Sequence, residues 1–136
     1  MFNNFKNQKG FTLLEVMVTT VILAVGLLGL LGMQITTIKG NSFSYQMTIA
    51  VSLAKNTMEG LSMLDYDDPK LSTITNPHTD PNNPMDALGQ SGGIYTREWV
   101  VRENPARNMK TITVTVSWTS IFGREPRVRL RTIKVR

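Results

Sequence analysis

The sequence contains no cysteine, which excludes disulfides, thiolate metal sites and a thiol nucleophile, so packing alone must hold any folded part together. It has one histidine, His78; set among Asn76, Pro77 and Asp80 with no partner for a triad or a metal, it reads as a solvated loop residue. No proline occurs before Pro69, so nothing in the first half of the chain forces a helix to stop. Internal repeats and long low-complexity tracts are absent. The formal charge of +5 is not evenly spread. Lys6 and Lys9 lie in the head, while Arg124, Arg127, Arg129, Arg131, Lys134 and Arg136 crowd the tail. Between them, Asp65, Asp67, Asp68, Asp80 and Asp86 make the middle acidic, against Lys70. No nucleophile, general base or metal constellation can be assembled from these residue types, so neither an enzyme nor a bound cofactor is expected.

What is present is an apolar run, KGFTLLEVMVTTVILAVGLLGLL, over residues 9–31. From Phe11 to Leu31 a helix covers roughly 30 Å at about 1.5 Å per residue, enough to span hydrocarbon. Two lysines precede it and Lys39 follows, so the positive-inside bias places the head in the cytoplasm and the remainder outside. No A-x-A-like site follows the run, which argues against a signal cleaved behind it. Inside it stands one carboxylate, Glu15, which costs roughly 2 to 4 kcal/mol in a membrane unless it finds a partner or the interface. Thr12-Leu13-Leu14-Glu15 fits a capping box, and the helix dipole favours an acid there by about 0.3 to 1 kcal/mol. That gain does not cover the cost.

Lys9-Gly10-Phe11-Thr12-Leu13-Leu14-Glu15-Val16 resembles the processing site of type IV prepilins and type II secretion pseudopilins: a short basic leader ending in glycine, then phenylalanine, then glutamate fifth in an uninterrupted apolar helix. The resemblance implies cleavage after Gly10 by a prepilin peptidase, methylation of the new terminal amine of Phe11, and pairing of Glu15 with the terminal amine of a neighbouring subunit. It implies no cofactor. Through Gln34 the segment is similar to minor pilins of the PilV type, whereas major pilins usually carry proline at the position of Gly32. Gly26, Gly29 and Gly32 either let helices approach closely or merely loosen this one. Implied partners are the peptidase, other pilins and an inner-membrane assembly platform, and the implied location is the bacterial inner membrane, then the pilus. The rival is a minor pseudopilin of a type II secretion system.

After Gly32 the apolar positions thin to a stripe, Ile35, Ile38, Phe43, Met47, Val51, Ala54, Met58 and Leu61, which predicts an amphipathic continuation of the helix to about Leu64. Gly40-Asn41-Ser42 is expected to bend it. Residues 65–93, dense in proline and glycine, read as a long irregular connection; Asp65-Tyr66-Asp67-Asp68 lacks the spacing of a calcium loop. Three strands are expected, over 94–103, 110–119 and 127–135, with Ile112, Val114, Val116 and Trp118 on one face and Trp99 and Trp118 in the core. The turns fall at 105–108 and 122–126. The fold expected is therefore α+β and type IV pilin-like, with a leader at 1–10, a membrane and assembly helix at 11–32, and a domain at 33–136 in which helix packs on a small antiparallel sheet. Arg127, Arg129 and Arg131 share one face of the last strand. They read as a solvated face that discourages edge pairing, as a phosphate-binding track for DNA, or as a contact for an acidic neighbour.

Overall fold

The structure is a computed structural model that describes residues 11–120 and 123–136. The leader expected over residues 1–10, Gly10 included, lies outside them. A single helix, α1 (Leu13–Met63), leads into four strands, β1 (His78–Thr79), β2 (Tyr95–Asn104), β3 (Met109–Trp118) and β4 (Arg127–Val135). The chain divides into two units, Met1–Asn41 and Ser42–Arg136. Helical structure passes through Gly40-Asn41-Ser42 without a break, so these residues do not end the helix.

The sheet is antiparallel throughout, in the order β1-β2-β3-β4. Burial alternates strictly in β3: Ile112, Val114, Val116 and Trp118 are buried while the residues between them stay half-exposed, the signature of a strand with one face on a core. The β2–β3 turn closes through a 3-10 turn at Pro105–Arg107 and Asn108, whose φ of 48° is one that asparagine tolerates better than most residues. The core of the second unit gathers Ala50, Leu53, Ala54 and Leu61 from the helix with Tyr95, Trp99, Val101, Ile112, Val114, Val116 and Trp118 from the sheet. Both indoles are buried and both N–H groups are satisfied, Trp99 Nε1 donating to the Lys70 carbonyl at 2.9 Å and Trp118 Nε1 to Gln46 Oε1 at 3.1 Å. Buried indoles without such partners would be costly.

Four expectations change. The packed helix stripe keeps Ala54, Leu61 and the half-buried Met58 of the expected one and adds Ala50 and Leu53, whereas Phe43, Met47 and Val51 are exposed; the alanines at its centre let the helix approach the sheet closely. The connection at 65–93 is not structureless. It contributes Leu71 and Met85 to the core, both fully buried, and a fourth strand, β1. His78 is not solvated: it is half-buried, stacked on Trp99 with ring centroids 5.3 Å apart, and its Nε2 lies 2.8 Å from the Ser72 carbonyl.

The connection also closes one edge of the sheet. The Asn83 amide accepts from Arg97 N–H at 2.9 Å and donates to the Arg97 carbonyl at 2.8 Å. Asn76 does the same with Val101 at 2.9 and 2.7 Å. Between them β1 pairs with Glu98 and Trp99. Two side-chain amides thus continue the ladder where the backbone cannot. At the end of α1, Lys110 and Lys134, paired in register across β3 and β4, donate to the carbonyls of Tyr66 and Ser62 at 2.7 and 2.8 Å. Lys134 thereby serves the negative end of a helix whose last turn has no basic residue, and Lys110 holds the backbone just beyond it.

Candidate functional site

Among the described residues the first unit is helix from Leu13 onward. Thr12 begins it: its hydroxyl accepts from Glu15 N–H at 3.2 Å and its carbonyl from Val16 N–H at 3.2 Å, satisfying donors that an open helix start leaves unpaired. This is half of the expected capping box. The carboxylate of Glu15 has no hydrogen-bond or ion-pair partner among the described residues. Other polar side chains near it are satisfied internally. Thr19 Oγ1 donates to the Glu15 carbonyl at 2.8 Å and Thr20 Oγ1 to the Val16 carbonyl at 2.7 Å, the back-bonding that lets threonine sit in an apolar helix.

Leu13, Leu14, Val16, Met17, Val21, Ile22, Leu27, Leu28, Leu30 and Leu31 are all exposed. An apolar surface of that extent does not persist in water, and it marks a membrane or protein contact. The helix is long and apolar enough to cross a membrane. A Cβ placed at Gly26, Gly29 or Gly32 would meet no atom within 4 Å, so these glycines answer to no packing need inside the chain.

These features occupy the stretch that matches a known family model. Residues 5–31 fit the prokaryotic N-terminal methylation motif. This match is consistent with a type IV prepilin-like protein. No curated protein and no solved structure matches the chain. The motif covers Gly10, which lies outside the described residues, together with Phe11 and Glu15 at the head of α1. It supports a pilin-like or pseudopilin-like precursor processed by a prepilin peptidase and anchored in a membrane, and the α+β architecture is consistent with a type IV pilin-like fold.

The second expected site, Arg127, Arg129 and Arg131, lies on the outer face of the sheet, away from the core. All three are exposed and stand in register beside Ser117, Thr115 and Thr113. The structure separates them. Arg129 and Arg131 line a shallow concavity with Thr111, Thr113 and Thr115 of β3 and with Arg102 and Glu98 of β2, and Arg127 does not. Sequence reasoning missed Arg102, because a strand read alone does not say which residue of another strand stands across from it; only the register, Arg102 beside Thr111, brings it to the same face. Among the described residues no three His, Asp or Glu side chains come together as a metal site.

Proposed function

We propose that the chain is a minor pilin of a type IV pilus, of the PilV type. It enters the inner membrane as a prepilin with Lys6 and Lys9 in the cytoplasm and residues 33–136 in the periplasm. A prepilin peptidase cuts after Gly10 and methylates the amine of Phe11, and an inner-membrane assembly platform then moves the subunit into the pilus or its tip complex. The role is structural rather than catalytic: the apolar helix is buried among other pilin helices and presents the folded domain outside.

One observation carries this reading. Within a methylation motif, Glu15 is the unsatisfied charge of the described helix head, and it sits one turn from the terminus that processing would create. An amine from a neighbouring subunit supplies what its own chain does not. At about 4 Å and an effective dielectric of about 20, that attraction is worth about 4 kcal/mol before desolvation is subtracted. The pair therefore sets stagger and selects for assembly rather than adding much stability.

Mass spectrometry of the cellular protein tests the processing, and a Glu15→Gln variant tests the assembly. The expected mature chain begins at N-methylated Phe11. The variant is expected to be cleaved normally and to enter sheared pili at least tenfold less than the native chain. Recovery of chains that retain Met1 in peptidase-competent cells overturns the processing step, and a variant that enters fibres as readily as the native chain overturns the role of Glu15. Co-fractionation with a type II secretion complex rather than with pili assigns the chain to the pseudopilins.

A further inference from the structure

We propose that the outer face of the sheet holds a groove for the phosphate backbone of duplex DNA, built by Arg102, Arg129 and Arg131 around a row of threonine hydroxyls. The concavity measures about 470 Å³ and is formed by three strands. The row is Thr111, Thr113 and Thr115 on β3, spaced about 6.8 Å apart as alternate residues of a strand. Arg131 stands beside Thr113 and Arg129 beside Thr115 on one flank, and Arg102 beside Thr111 on the other. None of these six side chains is engaged in an ion pair or side-chain hydrogen bond among the described residues. The groove thus offers guanidinium forks and hydroxyls, the donors that hold phosphate oxygens, with no other described side chain already using them.

The lining argues for this occupant over others. Val100 is its single apolar side chain, whereas the centre of a protein–protein contact is apolar. No aromatic residue lies on this face of β2, β3 or β4, so unpaired bases would find no stacking platform and a single strand has little to gain. Backbone phosphates of a duplex need only the charges and the hydroxyls, and such contacts do not read sequence. Glu98, in line with Thr115 and Arg129 across the sheet, stands two strand spacings from that arginine, about 9.6 Å. It is too distant to neutralise it and repels an anion at one end of the groove.

The test uses the full chain in uncharged detergent micelles and a fluorescent duplex of mixed sequence, with anisotropy followed over a salt series. Binding is expected to weaken with salt. Arg129→Gln/Arg131→Gln should lose at least tenfold in affinity and flatten the log–log salt slope by about 1.8, at about 0.9 for each phosphate contact removed. Arg102→Gln should flatten it by about 0.9. Glu98→Gln should tighten binding about two- to fivefold, the effect of one unit charge close to the groove and near water. Lys55→Gln/Arg107→Gln removes the same charge elsewhere on the domain and should change affinity less than twofold. The proposal is overturned if that control pair weakens binding as much as the groove pair. It is also overturned if Glu98→Gln weakens binding, or if a polyuronate competes as well as unlabelled duplex, since each outcome reports net charge and not a phosphate site.

Discussion

Removing the carboxylate of Asp80 should destabilise the folded domain more than removal of any surface charge. Asp80 and Arg97 keep only 11% and 14% of their side-chain surface open to solvent. Asp80 Oδ2 accepts from Arg97 Nε at 3.1 Å and from Nη2, while Oδ1 accepts from Asn82 N–H at 2.9 Å. Arg97 Nη1 reaches the Leu53 carbonyl at 3.4 Å, so the guanidinium lies between helix, strand and loop. Asp80→Ala leaves a cation in that place with one weak acceptor. Breaking a fully buried pair costs about 3 to 5 kcal/mol, and the residual solvent access here lowers the expectation to about 2 to 4 kcal/mol. At roughly 4 to 8 °C per kcal/mol for a domain of this size, the melting point should fall by about 10 to 25 °C. Asp80→Ala/Arg97→Met removes both charges and should cost less than the two single changes together, with a coupling of about 1.5 to 3 kcal/mol. The assay is denaturation of the full chain in detergent, followed by the fluorescence of the buried Trp99 and Trp118, in low salt and in high salt. Screening should leave the difference almost unchanged, as it does for a pair sheltered from solvent. A variant Asp80→Ala within about 0.5 kcal/mol of the native chain, or additive effects in the double variant, refutes the reasoning and makes the pair an ordinary surface contact.

Asn83→Ala removes both hydrogen bonds to the Arg97 main chain and leaves its N–H without an acceptor, so the domain should lose about 1 to 3 kcal/mol; hydrogen exchange at the Arg97 amide, accelerated relative to Val101, checks it. Burial pushes the Tyr95 phenol above its ordinary 10.0, with the nearby Tyr45 adding to the shift. The unfolded chain therefore sheds this proton first, so the contribution of Tyr95 is intact below pH 10.0 and is lost as the pH rises through the raised folded value. Tyr95→Phe should remove that part of the alkaline loss, as read from unfolding curves above and below pH 10.0.

The elements of the fold were written in periodicity. Val114, Val116 and Trp118 alternate with threonine and serine, and an alternation of two fixes which face of β3 is buried whatever else the chain does. The apolar run before Gly32, free of proline, left no option but a helix long enough for a membrane. The motif from Lys9 to Val16 was equally legible, because its chemistry lies in consecutive residues. The packed edge of the helix was harder. Phe43, Met47 and Val51 satisfy a helical spacing as well as Ala50 and Leu53 do, and hydrophobicity alone ranks them above alanine.

The amino-acid sequence by itself determined the helix, three of the four strands and the methylation motif, since each depends on neighbours within a few positions. Tertiary structure alone decided that Leu71 and Met85 belong to the core, that Asn76 and Asn83 complete a sheet edge, that Lys134 serves the end of a helix, and that Arg102 joins Arg129 and Arg131 on one face. Each of those depends on which distant segments become adjacent, and adjacency is set by pairing register and close packing, which no local pattern encodes.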